Sequence, residues 1–181
     1  MAVLKDIDKA AEKKGSALVT IWQFVKFIVV SLGAMIVQFV LLNTLQLIPA
    51  IKALYAQDFS WWVFVYPVAI GGLGYFIVSN VANIIAQIVA FFINKEKTFN
   101  SGANTAVTLP IYIVFTIALI CFSAWLNPTL KEVFIGFDWC NEDLAKNIAT
   151  MICSAVQFFL YFPVDKILFH KKKEEATEEV K

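Results

Sequence analysis

Residues 73–99, LGYFIVSNVANIIAQIVAFFINKEKTF, decide the fold. The first part, 73–93, contains no charged side chain and is as long as the about 20 residues that a helix needs to cross a bilayer. Three amides, Asn80, Asn83 and Gln87, interrupt it at spacings of three and four residues, which place them on one face of a helix. Lysines and a glutamate follow at once. The stretch therefore predicts a membrane-spanning helix that carries a polar stripe and ends at a charged membrane surface.

The rest of the chain has the same apolar character. Of its 181 residues 60% are hydrophobic and 16% are charged, and the mean hydropathy is +0.72. Soluble domains are typically about half apolar. We therefore predict an all-α integral membrane protein with one domain, residues 1–170, and a charged cytoplasmic tail, 171–181. The four predicted transmembrane helices cover about 27–48, 73–93, 106–125 and 144–162, and an extra outer segment, 61–70, is predicted to be interfacial or re-entrant.

The lysines are distributed unevenly between the two sides of this predicted bundle. Twelve lie in the N-terminal segment, in the loop after the second span and in the C-terminal segment, whereas the other two loops hold three. Cytoplasmic segments are enriched in lysine and arginine. The side with twelve lysines is therefore predicted to be cytoplasmic, and both termini lie there because the number of spans is even.

A repeat at an offset of 67 residues relates the second span to the fourth. Asn80-Val81-Ala82 matches Asn147-Ile148-Ala149, and Phe91-Phe92-Ile93 matches Phe158-Phe159-Leu160. Each copy would comprise two spans and enter the membrane from the cytoplasm. The repeat therefore predicts two parallel two-helix repeats.

The polar stripe has two interpretations. It continues to Asn94 in the second span, and Gln157 and Tyr161 belong to the corresponding stripe of the fourth span. Such side chains most often form hydrogen bonds between membrane helices. They could equally form a track that binds a hydroxyl-rich group inside the membrane. The stripe contains no carboxylate, since Glu96 and Asp165 are expected at the inner interface.

Basic and aromatic residues mark the two ends of the bundle. Lys26, Lys95 and Lys97 are expected at the cytoplasmic end, where they either set the topology and contact anionic headgroups or form a phosphate site. Trp61 and Trp62 are expected at the outer interface, as is typical of tryptophan. We regard both tryptophans as candidates to contact a substrate near its exit.

Composition argues against several classes of function. All fifteen basic residues are lysines, whereas nucleic-acid recognition relies on arginine, so no nucleic-acid partner is expected. The three cysteines form no CxxC pair. The sequence shows no metal-ligand cluster, no glycine-rich phosphate loop and no serine paired with a base. We therefore expect no catalytic residues, no metal, no cofactor and no enzymatic activity.

Residues 91–99, FFINKEKTF, resemble the GtrA-like family of small four-span membrane proteins. The family motif is an aromatic-aliphatic stretch followed by asparagine, a basic residue and a closing Thr/Val-Phe; here Lys95 stands where arginine is common and Lys97 where an aromatic residue is common. The resemblance covers roughly residues 20–170 through the span count, the loop lengths and the repeat. It implies a role in polysaccharide biosynthesis, namely translocation of sugars linked to polyprenyl phosphates such as undecaprenyl phosphate across the bacterial cytoplasmic (inner) membrane.

The polar stripe, the lysines and the resemblance leave three candidate functions. The first is a flippase for a polyprenyl-phosphate-linked monosaccharide used in cell-wall or teichoic acid glycosylation, in which the lysines after the second span bind the phosphate and the amide stripe binds the sugar. The alternative is a membrane scaffold that recruits a glycosyltransferase, suggested by the uncharged stripe and the lysine-rich face. The third is a small-molecule exporter resembling four-span multidrug proteins, which generally use a membrane-buried glutamate. Besides membrane lipids, a second copy of the chain is an expected partner, because four spans leave little room for a closed pathway.

Overall fold

A computed structural model of the chain describes residues 2–170, so the predicted charged tail lies outside the described residues. The described part is mostly helical. Its helices are α1 (Ala2–Lys13), α2 (Ser16–Leu45), α3 (Pro49–Lys52), α4 (Gly72–Ile93), α5 (Thr105–Ile135) and α6 (Glu142–Leu168). Four of the described segments are long and apolar enough to cross a membrane: Ser16–Leu45, Gly72–Thr98, Thr105–Ile135 and Asn147–Leu168. The prediction of four membrane-spanning helices is confirmed by their length and composition, and four such helices are those of a multi-pass membrane protein.

Three helices are longer than the predicted spans. α2 begins at Ser16, well before the predicted start at 27, and ends at Leu45. α5 continues through Pro128 to Ile135, and α6 continues through Pro163 to Leu168. Proline removes one backbone hydrogen bond and kinks a helix, but membrane helices tolerate it where neighbouring helices pack around the kink. Both helices therefore continue beyond the predicted ends of the third and fourth spans, at residues 125 and 162.

The four long helices form a closed bundle. α2 packs mainly against α4, α5 packs mainly against α6, and α4 contacts α5. Aromatic rings join α2 to α6, as the centroids of Phe24 and Phe158 lie 5.7 Å apart and those of Phe27 and Phe162 lie 5.5 Å apart. Every long helix therefore borders the space in the middle of the bundle.

Small residues and aromatic rings occupy different parts of the core. Along α4 the buried positions recur every four residues, at Val78, Ala82, Ala86 and Ala90. Such small side chains let membrane helices approach closely, and Ala34 of α2 packs against this row. An aromatic cluster lies beyond this row, at the end of the bundle where α4 and α6 finish. Its buried residues come from all four long helices and from the loops that follow α4 and α6: Phe27, Phe91, Phe99, Tyr112, Tyr161 and Phe169.

The predicted outer segment, 61–70, lies mostly in a β-hairpin. Strands β1 (Phe59–Trp61) and β2 (Phe64–Tyr66) pair antiparallel, and a single 3-10 turn (Val68–Ile70) leads into α4. Phe64 is buried, and its ring centroid lies 5.1 Å from that of Phe76 in α4. Its position relative to the membrane interface stays a prediction.

Candidate functional site

A polar cavity lies in the middle of the bundle. Its volume is about 140 Å³, and residues of α2, α4, α5 and α6 line it together with Asn94 at the end of α4. On α2 the lining runs from Phe27 to Gln38, which is about 16 Å of helix axis at about 1.5 Å per residue. The cavity therefore extends over about half of the roughly 30 Å hydrocarbon core of a bilayer. Amides and hydroxyls dominate its polar wall: Ser31, Gln38, Gln87, Asn94, Tyr112, Ser154, Gln157 and Tyr161.

Hydrogen bonds between helices hold several of these side chains in place. The Tyr112 hydroxyl of α5 donates to Gln87 Oε1 of α4 at 3.0 Å. Gln157 Nε2 of α6 donates to Ser123 Oγ of α5 at 2.5 Å, and the Tyr161 hydroxyl donates to Thr116 Oγ1 at 3.1 Å. Each amide has two donors and an acceptor oxygen. One bond therefore fixes the position of Gln87 or Gln157 and still leaves further donor and acceptor capacity directed at the cavity.

A buried carboxylate lies next to the cavity. Asp165 of α6 has no exposed surface, and Asn94 Nδ2 donates to Asp165 Oδ2 at 2.9 Å. Thr98 Oγ1 donates to Asn94 Oδ1 at 2.8 Å, so the three side chains form a chain of hydrogen bonds. Asp165 was expected at the inner interface from the sequence, and its depth in the membrane stays a prediction. The structure shows that its side chain is buried inside the bundle, because α6 continues past Pro163.

A turn of π-helix positions Asn94 and Thr98, the two residues of this hydrogen-bond chain that precede Asp165. Residues Asn94–Thr98 continue α4 with a wider turn, in which Phe99 N donates to Asn94 O five residues earlier at 2.9 Å. Such turns occur frequently at functional sites. Here the turn brings both Asn94 and Thr98 to the face of the chain that meets α6, and both are buried.

The lysines surround the same end of the bundle but do not line the cavity. Lys26 Nζ forms an ion pair with Asp8 Oδ1 of α1 at 2.9 Å. Lys95 donates to Thr105 Oγ1 at the start of α5. Lys97 is exposed in the π-turn, and Lys166 Nζ donates to Thr20 Oγ1 of α2 at 2.6 Å. The structure thus places positive charge around the end at which the Asn94–Asp165 pair is buried.

The structure brings only part of the predicted site together. Gln87, Asn94, Gln157 and Tyr161 line the cavity. The other members of the predicted set do not line it: Asn80, Asn83, Lys26, Lys95, Lys97, Trp61 and Trp62.

The positions outside the cavity have clear local explanations. Asn80 Nδ2 donates to Phe76 O of its own helix at 2.7 Å. Asn80 and Asn83 are only half-buried, off the fully buried row of α4 that runs at intervals of four residues to Asn94. Trp61 and Trp62 are exposed in the hairpin, with 63% and 73% of their surface accessible.

The polar residues of the site that were not predicted from the sequence include Ser31, Gln38, Tyr112 and Asp165. Gln38 and Ser31 lie seven residues apart on α2, which is two helical turns, and this spacing was a readable signal. Tyr112 is the single tyrosine of the predicted third span, 106–125. Tyrosine is also typical of the membrane interface, so the sequence alone does not place it in the site. Only the fold shows that its ring is buried against Tyr161, with centroids 5.6 Å apart.

Comparison of the chain with protein-family models, curated proteins and solved structures finds no match. Membership of the GtrA-like family therefore stays a prediction from residues 91–99.

Proposed function

We propose that the protein translocates a polyprenyl-phosphate-linked monosaccharide across the bacterial cytoplasmic membrane. The observation that carries this proposal is the cavity, which lies between four apolar helices and is lined by amides and hydroxyls. Sugar hydroxyls donate and accept hydrogen bonds, and so do amides and tyrosine hydroxyls. A polar head group could therefore exchange its bonds to water for bonds to these side chains while it crosses the membrane.

The size of the cavity favours a small head group. Pockets for drug-sized ligands measure about 300–1,000 Å³, whereas this cavity measures about 140 Å³. The available space suits a single sugar ring, with some widening of the bundle, and not an oligosaccharide. This is the reason to propose a monosaccharide.

The charged end of the bundle supports a phosphate-bearing substrate. Lys95 directly follows Asn94, which lines the cavity, and Lys97 comes after Glu96 in the same π-turn. Lysine binds phosphate as a point charge. The lysines of the π-turn would hold the phosphate at the membrane surface while the sugar enters between the helices. Lys26 would take part only if its ion pair with Asp8 opened.

The outer surface of the bundle supports a lipid chain. Large apolar side chains such as Phe39, Phe92 and Phe159 are exposed on α2, α4 and α6. In a membrane these side chains face lipid, so a polyprenyl tail could stay in the bilayer while its head group moves through the protein. Trp61 and Trp62 would then lie at the outer interface, near the exit of the sugar.

The internal repeat is part of the same proposal. The buried residues Val78, Ala82 and Ala86 of α4 precede Ala145, Ala149 and Cys153 of α6 by 67 residues each, and all six are buried. This agreement supports two related halves, α2 with α4 and α5 with α6, which enter the membrane from the cytoplasm. A homo-oligomer would enlarge the pathway that four helices enclose.

Native mass spectrometry of the protein purified from bacterial membranes tests the proposed substrate. We expect a bound species with the mass of a polyprenyl-phosphate monosaccharide. The double variant Gln87→Leu with Gln157→Leu should lose it, because two amides leave the cavity wall. The control Asn43→Leu, an exposed position on α2, should retain it.

Two results would contradict the proposal. One is a spectrum with ordinary phospholipids only, in the wild type and in both variants. The other is a stable complex with a glycosyltransferase that persists in the Gln87/Gln157 double variant while no lipid-linked sugar is bound, which would favour the scaffold.

A further inference from the structure

The Asp165 carboxyl group has an unusual environment for a membrane helix. Its side chain is fully buried, and Oδ2 accepts a hydrogen bond from Asn94 Nδ2 at 2.9 Å. Its other oxygen, Oδ1, is also buried and has no hydrogen-bond partner among the described residues 2–170. A buried acceptor without a partner is costly, and ionisable groups inside membrane spans commonly belong to ion or proton pathways. The geometry therefore points to a group that binds something at Oδ1.

The neighbours of Asp165 favour a proton over a metal ion. Asn94 presents a donor to the carboxylate, and its own oxygen already accepts from Thr98. A metal cation instead needs several oxygen ligands around it. Within the described part of the chain, no group of three or more His, Cys, Asp or Glu side chains could hold a metal. A proton needs only Oδ1 itself.

No ion pair with Asp165 is seen in the described part of the chain. The only charged residue of α2, Lys26, is paired with Asp8, and Lys166 of α6 bonds to Thr20. In the π-turn, Lys95 bonds to Thr105 whereas Glu96 and Lys97 are exposed.

Among the described residues, two buried tyrosines also lie near Asp165, namely Tyr112 of α5 and Tyr161 of α6. Both hydroxyls donate hydrogen bonds to other side chains, to Gln87 and to Thr116. The negative charge is thus not matched by a fixed positive one, and protonation would neutralise it.

The carboxyl group is also connected to the proposed substrate pathway. Asn94 lines the cavity and at the same time donates to Asp165. Tyr161, which also lines the cavity, precedes Asp165 by one helical turn. A change in the position of Asn94 when the cavity is occupied would therefore reach the carboxylate directly.

We propose that Asp165 is an exchangeable proton-binding site, and that the binding and release of this proton drive the movement of the lipid-linked sugar. In the uptake step a hydronium ion that enters through the cavity gives its proton to Oδ1, the carboxylate becomes a neutral carboxylic acid, and water remains. In the release step the proton returns to water when the helices rearrange. The coupling rests on the proposed function, whereas the proton site itself does not.

Infrared difference spectroscopy of the purified protein tests the site without any substrate. The spectra of the wild type at about pH 6, where exposed carboxylates stay ionised, and in alkaline buffer should differ by a protonated-carboxyl band that appears and disappears reversibly. Asp165→Asn should lack this band, and Asp138→Asn, a change in the exposed loop between α5 and α6, should keep it. Asn94→Ala should shift the band, since the donor to Oδ2 is gone, and this variant keeps the test valid if Asp165→Asn does not fold. A wild-type spectrum with no band that both responds to pH and depends on Asp165 or Asn94 would overturn the site.

Translocation under a pH gradient tests the coupling. In liposomes containing undecaprenyl-phosphate glucose as the probe, a gradient of about one pH unit should shift the distribution between leaflets by about tenfold for one coupled proton. Asp165→Asn should abolish this shift, and Asp138→Asn should preserve it. Translocation that ignores the gradient would overturn the coupling and leave the proposed function intact. A titrating band without any lipid movement would instead support the proton site and count against the proposed function.

Discussion

Asn94 and Asp165 lie 71 residues apart in the sequence, yet the Asn94 amide donates to the Asp165 carboxylate at 2.9 Å in the core of the bundle. This bond joins the π-turn that ends α4 to the last turns of α6. Asn94 also lines the polar cavity, at the end that carries the lysines.

The first prediction concerns the stability of this pair. Asn94→Leu removes the only described donor to a buried carboxyl group and should lower the free energy of unfolding by about 2 kcal/mol. Asn43→Leu changes an exposed amide that bonds to its own helix and should alter it by less than about 0.5 kcal/mol.

A double variant separates the effect of losing the Asn94–Asp165 hydrogen bond from the effect of changed packing. Replacing both partners, Asn94→Leu with Asp165→Leu, should recover much of the loss, because the carboxyl group is then no longer buried without its donor, although the Thr98 hydroxyl still loses its acceptor. Thermal unfolding in detergent measures all variants. Equal melting temperatures for Asn94→Leu and Asn43→Leu would contradict this account of the pair.

The second prediction separates the cavity from the polar stripe seen in the sequence. Gln87→Leu and Gln157→Leu each remove amide groups from the cavity wall and should each lower the translocation rate about fivefold to tenfold, as expected for about one net hydrogen bond. Asn80→Leu should have little effect, because the Asn80 amide bonds to Phe76 O and does not line the cavity. A large loss with Asn80→Leu and none with Gln157→Leu would favour the stripe over the cavity.

The third prediction tests how the hairpin region is attached to α4. Gly72 has a φ of +53°, and a Cβ atom there would lie 2.2 Å from the backbone oxygen of Gln57. Gly72→Ala should therefore destabilise the protein by about 2 kcal/mol or more. The backbone at Gln57 would have to move, and the positive φ alone costs an alanine about 1–3 kcal/mol.

Gly33 of α2 is the matched control for this change. A Cβ atom at Gly33 meets nothing within 4 Å. Gly33→Ala should be neutral or stabilise the helix by about 0.5–1 kcal/mol. Thermal unfolding of both variants is the measurement. An unfolding temperature for Gly72→Ala at or above that of Gly33→Ala would show that Gln57 does not pack against Gly72.

The sequence was informative wherever a local pattern decided the structure. Hydropathy alone was sufficient for the four long helices. The spacing of polar residues was informative only in part, since Gln87 and Asn94 line the cavity whereas Asn80 and Asn83 do not. The helix ends were less accurate, because Pro128 and Pro163 suggested breaks that packing in the bundle overrides.

The rest of the site depends on contacts that no local pattern contains. Asp165 is followed by Lys166 and preceded by Pro163, which together resemble the end of a span. Its burial depends on the π-turn and on Asn94, a partner from another helix. The β-hairpin was also unexpected, since its turn requires a positive φ of 52° at Trp62, a residue that rarely adopts it.

The fourth prediction concerns the orientation in the membrane. In a variant that lacks the native cysteines Cys121, Cys140 and Cys153, Lys97→Cys should give a thiol that reacts with a membrane-impermeant maleimide only after the cells are opened. A cysteine at position 138 should react in intact cells. Positions 97 and 138 are both exposed and lie in consecutive loops. The reverse pattern would show that the lysine-rich end faces outward.

The central claim is the movement of a lipid-linked sugar through the polar cavity, and reconstitution in liposomes tests it most directly. Undecaprenyl-phosphate monosaccharides with different sugars are incorporated, and an impermeant reagent reports the fraction of sugar that is accessible from outside over time. We expect the wild type to equilibrate at least one of these lipids faster than empty liposomes do, and the Gln87→Leu, Gln157→Leu double variant to lose most of this acceleration. Rates equal to those of empty liposomes for every sugar, or a double variant as fast as the wild type, would contradict the claim.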